Sequence, residues 1–244
     1  MNTVALLPEA PADLPGPRVS SVEQAAELGY ALVLGKHERR LSLWAPAGRE
    51  LPLAVDFDGG RLGYRLERVN HEMLVRALGG PGNAEKPVVD ATAGLGRDAV
   101  LMAMAGYPVT LIERQPLIHA LLADGLARLP ARLAMAPLTL QQADSVAWLH
   151  ANPNSCFAVS LDPMFPNREK SAAVKKDLRW LQLIGEQPLD MQDESALLDA
   201  ALHAAIKKVV VKRPLRAPPL AGRAPSHSLK GKAVRFDVYA SVCL

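Results

Sequence analysis

The sequence holds only two cysteines, Cys156 and Cys243, in 244 residues. Two thiols so far apart build neither a disulfide framework nor a metal knuckle. The six histidines stand singly, with no HxxxH spacing and no Cys/His cluster, so no metal is expected. No apolar run approaches the roughly 20 residues that a membrane-spanning helix needs. The N-terminus has no basic stretch ahead of an apolar one, so no secretory leader is expected. Together these absences predict a soluble chain in a reducing cytoplasm. What remains is an ordinary globular composition, 49% hydrophobic and 22% charged. The length suits one large domain, or one domain with an appendage.

The net charge of +3 says little, but its distribution says more. From Lys207 to Arg235 the basic residues Lys207, Lys208, Lys212, Arg213, Arg216, Arg223, Lys230, Lys232 and Arg235 occur with no acid among them. A second group comprises Arg168, Lys170, Lys175, Lys176 and Arg179. Such clusters track phosphates. The alternative is a solvated basic face, which Lys175 and Lys176 could equally form. The residues expected to meet a polyanion are Arg168, Lys170, Lys175, Lys176, Lys212, Arg213 and Arg216.

Residues 1–18, with Pro8, Pro11, Pro15 and Pro17, read as a loosely ordered lead-in. A short helix over 20–29 and strands at Tyr30–Leu34, Arg40–Trp44 and Leu53–Phe57 predict a small α/β unit spanning residues 1–60. Arg61, Arg65 and Arg68 then recur at helical spacing, and Met73, Leu74, Ala77 and Leu78 supply an apolar stripe. The second predicted domain, 61–244, alternates strand and helix. The expected strands are Val88–Ala91, Val109–Glu113, Leu138–Gln142, Ala158–Leu161 and Lys208–Lys212. The expected helices are Asp98–Ala105, Pro116–Leu129, Lys170–Ile184 and Asp193–Ile206. From Val234 onward, apolar residues alternate with Arg235, Asp237, Tyr239 and Ser241, which predicts a last, half-exposed strand. Such alternation implies a mostly parallel sheet with helices on both faces.

Two motifs carry the chemistry. The first is Val88-Val89-Asp90-Ala91-Thr92-Ala93-Gly94-Leu95-Gly96-Arg97-Asp98. It reads as a strand, a glycine turn and a helix N-terminus, the usual cradle for an adenosine-containing cofactor. Gly94 and Gly96 allow a tight turn and a close approach. Arg97 and Asp98 open the helix. Asp90 can fix the loop or meet an ammonium. Glu113 ends the second strand, where a carboxylate accepts from ribose hydroxyls, and Arg114 can lie beside the adenine. Asp144 and Ser145 follow the third strand, within reach of the adenine amino group. The spacing Gly94-x-Gly96-x-x-Ala99 also satisfies the relaxed dinucleotide fingerprint, so a nicotinamide enzyme stays open at this point. An acid at the loop mouth favours a methyl donor, which brings an ammonium and no pyrophosphate. Arg97 weighs the other way, unless it meets the donor's carboxylate.

The second motif is Leu161-Asp162-Pro163-Met164-Phe165-Pro166. An exocyclic amine on a nucleobase is a poor nucleophile because its lone pair is delocalised into the ring. Two acceptors aimed at its N–H groups hold it for attack. Asp162 supplies a carboxylate and Pro163 a carbonyl on a stiffened backbone, while Phe165 can stack on the base. The bland alternative is that Asp162 only caps a strand end and Phe165 fills a core.

With both motifs in hand, the chain resembles the ribosomal RNA small subunit methyltransferase J family. The matching stretches are VVDATAGLGRDA (88–99), LIERQP (111–116), LDPMFPNREKSAAVKKDLR (161–179), VVVKRP (209–214) and RFDVYA (235–240). Phe165 stands where Tyr is commoner, and Met164 replaces a second proline. The resemblance implies a Rossmann-like class I methyltransferase fold with a mostly parallel seven-stranded sheet. It implies S-adenosylmethionine as cofactor, contacted at Arg97, Asp98, Glu113, Arg114, Asp144, Ser145 and Asp162. The implied reaction is methylation of a guanosine N2 amine in 16S ribosomal RNA. Other acceptors, an adenine amine or a protein amide, fit the second motif equally well. A non-catalytic RNA-binding protein would fit the basic clusters alone.

Overall fold

The computed structural model describes residues 3–58, 60–133, 135–163, 176–184 and 190–241, and only the backbone of residues 60, 61 and 176–178. In chain order the strands are β1 (Val4–Leu6), β2 (Leu32–His37), β3 (Arg40–Trp44), β4 (Leu53–Ala54), β5 (Val88–Asp90), β6 (Val109–Glu113), β7 (Leu138–Gln142), β8 (Cys156–Leu161), β9 (Ala205–Pro214), β10 (His227–Lys230) and β11 (Val234–Ala240). The helices are α1 (Val22–Glu27), α2 (Gly60–Leu66), α3 (Met73–Leu78), α4 (Arg97–Met104), α5 (Pro116–Ala127), α6 (Ser145–Ala151), α7 (Lys176–Leu183) and α8 (Met191–Ala204).

The chain divides into two units. The first takes residues 1–56 together with 115–129 and 167–187, so α5 and α7 belong to it. Its sheet runs β1-β2-β3-β4, with β1 parallel to β2 and the other pairs antiparallel. Ala5, Leu7, Val19, Ala25 and Val33 form its core. Here the expectation of a loose lead-in is corrected, because residues 4–6 are a paired strand. Proline lacks a donor but keeps its carbonyl. Leu6 N donates to Pro17 O at 2.8 Å, and Val19 N returns a bond to Leu6 O at 3.0 Å. Arg18 Nη2 donates to Pro11 O.

The second unit carries a seven-stranded sheet in the order β10-β11-β9-β8-β5-β6-β7. The five strands from β9 to β7 are parallel, and β11 and β10 add an antiparallel hairpin at one edge. Central strands read as near-continuous apolar runs because helices cover both faces. Val88, Val89, Ala158, Val159, Val209, Val210 and Val211 are all buried. The order reverses beside β5: β6 and β7 continue on one side, while β8 and β9 return on the other. Such a reversal opens a crevice at the carboxyl ends of the strands.

Three local differences from the sequence reading have physical reasons. Helix α6 was not expected; Asp144 caps it, accepting from Ala147 N at 2.9 Å. Strand β10 was also not expected, and it pairs with β11 from His227↔Val238 to Lys230↔Arg235. The polar face of β11 is not half exposed. Arg235 and Asp237 are buried and satisfy each other through bonds of 2.8 and 2.9 Å. Arg235 Nη1 also donates to the carbonyls of Pro214, Leu215 and Ala217.

Candidate active site

The crevice is built from the ends of β5, β8 and β9 and the start of α4, all within the second unit. Register decides which side chains meet there. Asp90 lies level with Ser160 on β8, and Leu161 lies level with Val211 on β9. One residue further along, Asp162 therefore stands beside Lys212. Lys212 Nζ donates to Asp162 Oδ2 at 2.6 Å and to Asp98 Oδ2 at 2.8 Å. Arg65, from α2, approaches the other oxygen of Asp98 at 3.4 Å and holds Glu72 at 2.8 Å.

The glycine turn is tied down from several sides. Gly94 and Gly96 both take left-handed backbone, with φ of 51° and 72°, which an L side chain resists. Gly94 N donates to Glu113 Oε2 at 3.0 Å, so the acid that ends β6 grips the loop after β5. Ser145 Oγ donates to Ala91 O. Asp162 N donates to Thr92 Oγ1 at 2.6 Å, which links the two motifs directly. Thr92 N in turn donates to Asp90 Oδ1 at 3.3 Å.

Electrostatics follow from this crowding. Asp90 is only 4% exposed. Burial, then the neighbouring Asp98 and Asp162 carboxylates, push its carboxyl up to about 7, although Thr92 N–H and Lys212 pull the other way. Asp98 is also desolvated, but the Lys212 ammonium and the Arg65 guanidinium hold it below the usual carboxylate range. Asp162 is raised by desolvation and by Asp98, against the pull of Lys212. Its side chain keeps 42% of its surface open to solvent. Lys212, between two carboxylates, is pushed well above its ordinary value despite its burial. Three carboxyl groups thus crowd the mouth of the glycine turn. Lys212 and Arg65 offset the charge of Asp98 and Asp162, and a ligand ammonium beside buried Asp90 would favour its carboxylate, as a pyrophosphate would not. The site suits a methyl donor better than a dinucleotide.

The expected site residues separate into groups. Asp90, Gly94, Gly96, Asp98, Glu113, Ser145 and Asp162 converge on the loop. Pro163 is buried directly after Asp162, while Arg97 and Arg114 are exposed at the ends of α4 and β6. Asp144 is exposed, and its side chain is spent as the cap of α6. Phe165, Arg168, Lys170 and Lys175 lie outside the described residues, as does the side chain of Lys176. Two residues assigned to a polyanion are placed elsewhere. Lys212 points into the crevice, paired with Asp98 and Asp162. Arg213 is 3% exposed, bound to Glu194 at 3.0 Å and to Pro218 O at 2.9 Å, so its guanidinium is not offered to a phosphate. Arg216 is exposed, as expected of a phosphate contact. Arg65, Glu72 and Thr92 also belong to the site: Thr92 sits within the glycine motif and bonds Asp162, while the packing of α2 against α4 brings Arg65, with Glu72, to Asp98.

Comparison with known proteins agrees with this geometry. The SAM-dependent methyltransferase family model SAM_MT matches residues 19–241. Ribosomal RNA small subunit methyltransferase J of Alcanivorax borkumensis is 54% identical over 240 residues, covering 98% of this chain and 96% of that protein. The protein of the same name from Thioalkalivibrio sulfidiphilus is 46% identical, covering 89% and 87%. Among solved structures, a SAM-dependent methyltransferase from Neisseria gonorrhoeae superposes with a TM-score of 0.73 at 28% identity, over 98% of this chain and 96% of that one. A parallel sheet with a glycine turn at its reversal, a carboxylate crevice beside it and relatives matched over nearly their full length lead to one assignment: the chain belongs to the ribosomal RNA small subunit methyltransferase J family of S-adenosylmethionine-dependent methyltransferases.

Proposed function

We propose that this chain methylates the exocyclic N2 amine of a guanosine in 16S ribosomal RNA, with Asp162 and the Pro163 carbonyl as the two acceptors that hold the amine. One observation carries the assignment of roles. Asp162 ends the strand next to the glycine turn, and its backbone N–H is bonded to Thr92 within that turn. The acceptor group and the donor cradle are therefore parts of one rigid constellation, which is what transfer by positioning requires.

The fit of the donor rests on the left-handed glycines and the carboxyl-rich mouth described above. Asp90 would meet its ammonium, Glu113 its ribose, and Arg97 and Arg114 its outer edges. When bound, S-adenosylmethionine supplies an electrophilic methyl carbon on a sulfonium. The chain's own residues do the rest. Lys212 occupies Asp162 Oδ2, which leaves Oδ1 to accept from the guanine amine. The Pro163 carbonyl takes the second N–H, and both interactions turn the nitrogen lone pair out of conjugation. As nitrogen gains its bond to carbon it loses a proton, for which the Asp162 carboxylate is the adjacent base. Phe165 follows in the chain, and stacking by an aromatic there is worth about 1–3 kcal/mol per base. A target that is stacked or paired must first be turned out. Arg216, with Arg168, Lys170, Lys175 and Lys176, would hold flanking phosphates.

The test uses labelled donor and small-subunit RNA from cells lacking the gene, with DNA and protein acceptors in parallel. The expected outcome is label on one guanosine of that RNA. Asp162→Ala should abolish transfer while the variant melts as a folded protein. Near-normal turnover of Asp162→Ala, or label confined to DNA or protein, overturns the reading.

A further inference from the structure

We infer that Lys212 is a positioning residue for methyl transfer: it keeps Asp162 ionised and aimed at the substrate amine rather than binding an RNA phosphate. This rests on the role proposed for Asp162. A carboxylate can accept hydrogen bonds from an amine only while it is charged, and the surroundings of Asp162 work against that charge. Asp90 faces it from the end of β5 and Asp98 from the first turn of α4, both carboxyl groups. Among the described residues, Arg65 of α2 is the other cation bonded into the cluster. It is engaged by Glu72 at 2.8 Å and reaches only as far as Asp98, at 3.4 Å. Among the described residues, the cation that touches Asp162 itself is Lys212, at 2.6 Å.

The geometry also fixes orientation. The ammonium is pinned between Asp98 Oδ2 and Asp162 Oδ2, on a strand hydrogen-bonded to the one that Asp162 ends. That clamp selects which oxygen of Asp162 is engaged and which is left for the substrate. It also couples the first turn of α4 to the substrate-holding loop, because Asp98 belongs to the helix that follows the glycine turn. Without the ammonium, Arg65 still meets Asp98, but among the described residues no cation then touches Asp162, and taking up a proton relieves its repulsion from Asp90 and Asp98. Loss of an opposite charge at such a distance raises a carboxyl by about 1–3 pH units. A protonated Asp162 donates where it must accept, so transfer stops.

The experiment compares wild type with K212M and K212R. The carboxyl carbon of Asp162 is titrated by NMR in the free protein, with its resonance assigned through D162N. In K212M the midpoint should rise by about 1–3 pH units, and in K212R it should stay near the wild-type value. The acid limb of the kcat profile should move up in parallel in K212M. Turnover should then fall about tenfold for each pH unit below the shifted midpoint, while the Kd for RNA and its salt slope stay unchanged. If K212M does not fold, K212Q supplies a polar N–H donor on a shorter side chain without the charge. Coincident Asp162 titrations in wild type and the uncharged variant overturn the inference. So does an unmoved pH profile with weakened RNA binding and a salt slope reduced by about one, the signature of a phosphate contact. If wild-type protein transfers no methyl group to ribosomal RNA, the proposed function fails, and the titration of the free protein still decides the role of Lys212.

Discussion

Replacing Asp90 with Asn should stabilise the ligand-free protein, and increasingly so as pH rises. Asp90 is buried at the end of β5, and its carboxyl is raised from an ordinary 3.8 to about 7. The folded chain therefore holds this proton over a range where the unfolded chain has released it. Where the folded state binds more protons than the unfolded one, stability falls as pH rises. The loss begins near the unfolded value of 3.8, grows through the interval and is complete above about 7. Asparagine does not titrate, and its side-chain oxygen can still accept from Thr92 N. Between pH 5 and pH 8 the interval that counts runs from 5 to about 7. At about 1.36 kcal/mol per pH unit, the advantage of Asn grows by roughly 3 kcal/mol. For a chain of this size that corresponds to a Tm gap widening by roughly 6–12 °C. Melting curves of both proteins at pH 5, 6, 7 and 8 read the gap directly, and comparing the two cancels titrations they share. A gap that stays constant with pH refutes the claim that Asp90 is held protonated near neutrality. The same proton gives a second readout. A ligand ammonium placed against Asp90 favours the carboxylate, so binding of S-adenosylhomocysteine should release a proton at pH 6 and none at pH 8. Calorimetry in buffers of different ionisation enthalpy measures that release.

Two further substitutions separate structural from ligand-facing roles. Asp144→Ala removes the cap of α6 and should cost about 0.5–2 kcal/mol in denaturant unfolding, with donor affinity unchanged; a marked loss of donor affinity would return Asp144 to the adenine. Arg213→Ala strips the partner from partly buried Glu194 and should destabilise by roughly 3–5 kcal/mol, whereas Arg216→Ala should leave the Tm alone, weaken RNA binding and lower the salt slope by about one. If filter binding shows the larger RNA effect for Arg213→Ala at a temperature where it is folded, the buried ion pair is not its role.

Much of the fold was legible because central parallel strands are buried on both faces. The apolar runs Val88-Val89, Ala158-Val159 and Val209-Val210-Val211 had no polar alternative to account for, and the glycine turn announced itself by residue type alone. Strand β1 was hidden by the prolines that follow it, Pro8, Pro11, Pro15 and Pro17, which signal missing donors but not the carbonyls that still accept. Helix α6 was hidden by a competing use for Asp144: the residue that begins a helix was assigned to a ligand, since a short acid after a strand serves either purpose.

The larger difference from the expected placement concerns Lys212 and Arg213, and its cause is geometric. A run of basic residues looks like one surface only if the backbone lets them share a face. Both lie on β9, where consecutive side chains leave the sheet on opposite sides. One therefore enters the crevice to meet Asp98 and Asp162, and the other turns to Glu194 under α8. Asp162 is fifty residues from Lys212 in the chain, so no local pattern pairs them. The pairing becomes readable once β8 and β9 are accepted as parallel neighbours. Each ends a buried run, Val159-Ser160-Leu161 and Val209-Val210-Val211, and the first charged residue after each is Asp162 and Lys212. Aligning the ends of the runs, which their shared burial enforces, sets opposite charges side by side. In a parallel sheet of this kind, an isolated acid and an isolated base that terminate adjacent buried strands are better evidence for an ion pair across the strand ends than a cluster of bases along one strand is for a polyanion surface.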